Sequence, residues 1–281
     1  VSAAVFTLTT DMDFNAGVAT DTTNGITITA VGNADASAIA GTDQADHITG
    51  GDNTDTITGN AGADTAVGGA GVDTFLADEG SMQINDFGVG VDIVEVANGA
   101  TMTATVTTNY TAAGVDTIDN LAAAAGAAHF NIDNDIDFDA SAATNTARGI
   151  TIDATDNAAA SALTGTDQGD IVIGGANADT LVGDAGNDTI TGGLGIDTIT
   201  GGVGNENISL TEGVAAVDVV HYSVVADNGS DTITGALFGA GAGGDTFNVE
   251  LLAGGNVAGE AAIAANAVAL NATTAFALVF A

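Results

Sequence analysis

The chain has no cysteine, no proline and no tryptophan, and its 281 residues include a single basic one, Arg148. Without cysteine there are no disulfides, no thiolate metal sites and no thiol nucleophiles. Without proline, turns fall to glycine, asparagine and aspartate. Without clustered Lys and Arg there is no patch to meet phosphates, which argues against nucleic acid and against charge-driven binding to an anionic membrane. No apolar run approaches the ~18 residues of a transmembrane helix, so membrane insertion is not expected. The opening stretch VSAAVFTLTT has no basic segment and no signal-peptide shape, and it starts with Val1 rather than Met, as in a processed chain or a fragment. Aromatics are also scarce, at 4% against 46% hydrophobic residues, many of them alanine. That composition favours thin, layered cores.

Acid is what the chain has in excess: 37 Asp and Glu residues give a formal net charge of −36. A compact fold with that charge repels itself unless cations neutralise it. Regularly placed Ile, Val, Leu and Phe argue against disorder as the alternative.

The organisation is a duplication. The stretch DMDFNAGVATDTTNGITITAVGNADASAIAGTDQADHITGG from Asp11 returns from Asp135 as DIDFDASAATNTARGITIDATDNAAASALTGTDQGDIVIGG, at an offset of 124 without a gap. Two domains are expected, 1–124 and 125–281. Each has a strand-rich lead-in, a glycine-rich block and a closing segment. The alternation in IDNDIDFD predicts one strand with Asp133, Asp135, Asp137 and Asp139 on one face and Ile132, Ile136 and Phe138 on the other. The alanine-rich stretch 120–130 reads as a short helix.

The blocks, 41–76 and 165–209, repeat every nine residues through four and then five units. Position one is glycine in all nine units. Position four is Gly62, Gly71, Gly186, Gly195 and Gly204, or Asn53 and Asn177, as a left-handed backbone prefers. Gln44 and Gln168 depart from this in the first unit of each block. Position six is Asp46, Asp55, Asp64, Asp73, Asp170, Asp179, Asp188 and Asp197, then Glu206. Position eight is aliphatic or Phe, except at Ala66. A six-residue polar loop is followed by a three-residue strand whose middle residue points inward. Two units make one coil of a flattened spiral, and coils stack as parallel strands. Stacking would bring position-six carboxylates to ~5 Å from one another, the inter-strand spacing. Like charges at that distance repel strongly unless a hard divalent cation lies between them. Calcium takes six to eight oxygens with tolerant geometry; magnesium demands a tighter octahedron, and zinc would want His or Cys.

These units resemble the repeats-in-toxin (RTX) nonapeptide G-G-x-G-x-D-x-U-x of the calcium-binding parallel β-roll. The resemblance implies an all-β chain of two tandem parallel β-rolls with several Ca²⁺ ions. It implies ligation by the eight position-six Asp side chains and by loop carbonyls, at Gly50, Gly59, Gly68, Gly174, Gly183 and Gly192. It also implies secretion, with folding where extracellular calcium is met. Thr42, Asn60, Thr166 and Asp184 depart from the pattern at position two, and Glu206 at position six. The apolar end NATTAFALVFA resembles the uncleaved carboxyl terminus of type I secretion substrates. The same stretch resembles the strands that begin each half, SAAVFTLTT and GAAHFNIDN, which suggests head-to-tail joining of copies.

No H-E-x-x-H, G-x-S-x-G or phosphate loop is present, and His47 takes an outward strand position. An enzyme is not expected. The expected function is a secreted structural subunit of a surface layer or extracellular filament. Its partners would be copies of itself and a cell-surface glycan or other anchor. Two alternatives remain at this point. One is an adhesin or ice- or ligand-binding module, for which Thr56/Thr58, Thr189/Thr191 and Thr198/Thr200 would supply outward ranks. The other is a non-catalytic calcium module of a larger secreted enzyme.

Overall fold

The computed structural model describes residues 4–9, 13–17, 24–33, 35–88, 92–97, 99–112, 118–120, 128–133, 135–143, 148–211, 216–223, 230–235, 246–250 and 276–279. Among these there are strands, turns and bends but no helix. Part of the alanine-rich stretch expected to be helical, 121–127, lies outside the described residues, and Ala128–Ile132 is a strand.

Successive strands alternate between two walls. One wall is a single thirteen-stranded sheet running from Ala4–Thr7 to Phe276–Val279. The opposite wall is a six-stranded and then a seven-stranded sheet. The described pairings are parallel, except that Phe276–Val279 runs antiparallel to Ser230–Thr234. The result is a parallel-strand β-solenoid. The thirteen-stranded sheet continues across residue 124, because Thr101–Val106 pairs in parallel with Ala128–Ile132.

Nine-residue spacing fixes how this solenoid is filled. Position eight lies in mid-strand, and two units return the chain one coil higher, so like residues stack. On the long wall Ile28, Ile48, Ala66 and Ile84 are partners in register. The column continues through Ala104, Phe130, Ile152, Val172, Ile190, Ile208 and Ile233. All eleven are buried. Burying each large aliphatic side chain contributes ~1.5–3 kcal/mol, which compensates for a thin core through repetition.

Between the blocks the core is aromatic. Phe87 packs on Tyr110 and Phe130 at ring-centroid distances of 4.9 and 5.2 Å, and Phe138 packs on Tyr110 and Phe130 at 5.0 and 4.9 Å. The Tyr110 hydroxyl donates to the Asp92 carbonyl at 3.1 Å, so its polar end is satisfied inside.

The strand expected across 132–139 is broken. Asp135 has a φ of 60°, which ends one strand and turns the chain to the opposite wall at Phe138–Asp139. Ile136 and Phe138 are buried as the alternation requires. The acids serve as caps: Asp139 Oδ1 accepts from Ser141 N and Oγ at 3.0 and 2.6 Å, and Asp137 Oδ1 accepts from Ala162 N at 2.8 Å.

Candidate metal centre

Every predicted position-six aspartate is buried, none more than 3% exposed. Each of Gly50, Gly59, Gly68, Gly174, Gly183 and Gly192 lies against the carboxylate of its own unit. A Cβ at Gly59, Gly68 or Gly183 would collide with Oδ2 of Asp64, Asp73 or Asp188. Glycine is required there because the carboxylate fills the space a side chain would take. Glycine carbonyls one coil further on come equally close: Gly68 O to Gly50, Gly192 O to Gly174, and Gly201 O to Gly183.

Successive position-six aspartates are tied to one another through the backbone. The Oδ1 atom of each accepts a backbone N–H from the coil before. Asp46 N donates to Asp64 Oδ1 at 2.8 Å, Asp55 N to Asp73 Oδ1 at 2.8 Å, and Asp73 N to Asp92 Oδ1 at 3.0 Å. The second block repeats this from Asp170 N to Asp188 Oδ1 at 2.7 Å and from Asp179 N to Asp197 Oδ1 at 2.9 Å. One oxygen of each carboxylate is thus satisfied by the backbone of the coil before. Among the described residues no three Asp, Glu or His side chains converge as a metal cage. Loop carbonyls are the other oxygens close to these carboxylates.

The second carboxylate oxygen divides the loops into two forms. In the first two units of each block Oδ2 is bound within its own loop. It accepts from Thr42 N at 2.5 Å for Asp46, and from Gly51 N at 2.6 Å for Asp55. It accepts from Thr166 N at 2.5 Å for Asp170, and from Gly175 N at 2.7 Å for Asp179. Positions two and four of these closed loops, Asn53 and Asn177 included, have no positive φ. From the third unit on the backbone turns over. Position two becomes left-handed at Asn60, Gly69, Asp184, Gly193 and Gly202, and position four at Gly62, Gly71, Gly186, Gly195 and Gly204. The apparent departures Asn60 and Asp184 thus take the conformation that glycine takes elsewhere. In these open loops Oδ2 of Asp64, Asp73 and Asp188 is buried with no hydrogen-bond partner.

A buried carboxylate oxygen without a partner is costly. Burial, more than the neighbouring acids, pushes Asp64, Asp73 and Asp188 up to about 7. In the closed loop Asp170 is also raised by burial, to about 6, while N–H and hydroxyl donors hold it down. The open loops supply oxygen donors only: a partnerless carboxylate oxygen, glycine carbonyls close by, and no sulfur or imidazole. That set fits a hard cation of calcium's kind.

The register runs further than the glycine pattern shows. Ser37 and Ser161 occupy position six of units at 32–40 and 156–164, with Ile39 and Leu163 buried at position eight. There the Asn33 and Asn157 amides donate to the serine hydroxyls at 2.9 and 2.6 Å, a neutral version of the closed loop. At the other ends Asp92, Asp218 and Asp231 extend the ladders, accepting from Asp73, Asp197 and Glu206. Their offsets are 19, 21 and 25 residues instead of 18, so a search at fixed period passes over them. The surviving signal is Asp followed two residues later by Val94, Val220 or Ile233.

His47 is exposed, as its outward strand position requires. His129 lies 3.5 Å from Asp153 on the next strand of the long wall.

The RTX calcium-binding nonapeptide repeat matches four times, at residues 31–66, 49–81, 164–199 and 183–213. The first match begins ahead of Gly41 and so takes in the serine-bearing unit. No curated protein matches the chain. The two glycine-rich blocks are RTX nonapeptide repeats, a class that binds several Ca²⁺ ions, wound here into a parallel β-roll.

Proposed function

We propose that the chain is a secreted structural subunit that binds calcium in its open loops and assembles into a surface layer or extracellular filament. The ligands are Oδ2 of Asp64, Asp73 and Asp188 and their equivalents, with loop glycine carbonyls completing the shell. Secretion accords with repeats of this class, which are typical of secreted proteins. Among the described residues no helix is long and apolar enough to cross a membrane.

One observation supports assembly above the others. The thirteen-stranded sheet passes unbroken from one copy of the duplicated plan into the next. Stacking of such units end to end is therefore already built into a single chain. Anchoring to a cell-surface glycan or protein would be a separate property. Electron microscopy of the purified chain during calcium titration tests the reading. Ordered filaments or sheets are expected with calcium and not without it. Monodisperse particles under both conditions would contradict it.

A further inference from the structure

The two ends of the long wall differ in how they are covered, and the duplication shows why that matters. Ala4–Thr7 is the outermost strand at one end. It pairs in parallel with Ile26–Thr29, Val5 opposite Thr27 and Phe6 opposite Ile28. Its copy 124 residues later, Ala128–Ile132, pairs in the same register, with His129 opposite Thr151 and Phe130 opposite Ile152. The copy, however, has a second neighbour. Thr101–Val106 lies along its other edge, Ala104 opposite Phe130. Among the described residues nothing lies along the corresponding edge of Ala4–Thr7.

Side chains follow the same comparison. Phe6 and Phe14 form a tilted pair at 4.8 Å, and their copies Phe130 and Phe138 form one at 4.9 Å. Phe130 and Phe138 are fully buried because Phe87 and Tyr110, from the preceding copy of the plan, complete a four-ring cluster. Phe6 is 38% exposed and Val5 69%. The terminal pair is thus half of a cluster whose complete form exists at the internal junction.

Charge points the same way. In a chain with 37 acidic residues, neither Ala4–Thr7 nor Thr101–Val106 carries a charge. Natural edge strands are usually protected by charge or proline against pairing with another chain. This edge has neither. At the other end of the long wall lies Phe276–Val279, also uncharged, paired on one edge with Ser230–Thr234 and outermost among the described strands.

We infer that the outer edge of Ala4–Thr7, with the Phe6–Phe14 pair, receives the closing end of a second copy, whose outermost strand is Phe276–Val279. The contact is head to tail, so every open oligomer keeps one free head and one free tail. Such a heterologous interface repeats from copy to copy and builds an open filament where the rotation between copies does not close a ring. The inference rests on the assembly reading above and assigns its contact surface.

The test uses the full chain in millimolar calcium, with sedimentation velocity as readout. Two variants block opposite ends. Val5→Asp places a charge at an exposed position and leaves the core untouched; removal of residues 276–281 takes away the closing strand. The native chain is expected to grow into long oligomers. Each variant alone is expected to remain monomeric, or to need at least about tenfold more protein to associate. Circular dichroism should stay native for Val5→Asp, and its calcium midpoint should not move. Mixing the two variants should give dimers and nothing larger, because each supplies one intact end. If both variants assemble like the native chain, the assignment of this interface is wrong while assembly stands. If the native chain does not assemble, the assembly reading falls and takes the interface with it.

Discussion

Chelating divalent ions near neutral pH is expected to collapse the strand signal in circular dichroism, and millimolar calcium is expected to restore it. The effect should be large because two costs coincide when the ions leave. One is local: Oδ2 of Asp64, Asp73 and Asp188 is buried without a donor. The other is global, since the formal net charge of −36 has a single basic residue to offset it. Ligand that binds only the folded state adds stability by mass action, about 4 kcal/mol per site at a thousandfold excess over Kd. Several such sites exceed the ~5–15 kcal/mol that ordinarily separates folded from unfolded chains. Titration with calcium should therefore trace folding itself, as one cooperative rise in strand signal. A metal-free chain that kept its native spectrum would show that the loops do not depend on the ion.

Acid should partly replace calcium. In the folded, metal-free chain Asp64, Asp73 and Asp188 are raised by burial from 3.8 to about 7. Between those values the folded state holds protons that the unfolded state has released. Stability then falls as pH rises, because its slope follows the protons bound when unfolded minus those bound when folded. Below about pH 4 both states are protonated at these groups and the penalty is absent. From there to about pH 7 it grows, and above that it is complete. The metal-free chain should accordingly regain strand signal as the solution is brought from neutral to about pH 5, with calcium absent throughout. Calcium should matter least at the acid end, where protons occupy the same oxygens. Circular dichroism across that range in chelator checks the sign: a metal-free chain that becomes less structured on acidification would contradict it.

Much of the fold was legible in the sequence because a solenoid is nearly one-dimensional. A coil contacts its neighbours, so the nine-residue period carries the register directly. Ile48, Ile57, Val172 and Ile190 are buried where position eight places them. Legibility failed where that period is interrupted. Asp92, Asp218 and Asp231 continue the ladders after longer coils, and only the Asp-x-aliphatic spacing survives to mark them. It failed again at 132–139, where alternation suggested one strand but the left-handed Asp135 turns the chain. The alternation arose from two short strand ends sharing a buried face.

The candidate site was legible in its residues and not in its geometry. Period and glycine content identify the aspartates, but they say nothing of which carboxylate oxygen is already bound. That depends on the peptide at position two. Thr42 and Gly51 donate their N–H to the position-six carboxylate of their own loop, whereas Asn60 and Gly69, at φ of 63° and 104°, do not, and the Gly69 N–H goes instead to Asp86 Oδ2 at 2.8 Å. Glycine appears on both sides of this division, as Gly51 and Gly69, so residue type alone cannot separate closed loops from open ones. Gly62 and Gly71 of the open loops lie directly on Gln44 and Asn53 of the closed ones, one coil earlier.

The central claim is that a few buried carboxylate oxygens are unfavourable until calcium meets them. Replacing Asp64, Asp73 and Asp188 together by Asn tests it most directly. The amide keeps an oxygen to accept the N–H from the previous coil and puts an uncharged donor where Oδ2 stood. Strand signal near neutral pH, compared with the native chain in chelator and in calcium, should move in opposite directions. The triple variant should hold more structure than the native chain when calcium is absent, and should need more calcium to complete folding. A variant weaker than the native chain under both conditions, or unchanged under both, would contradict the account.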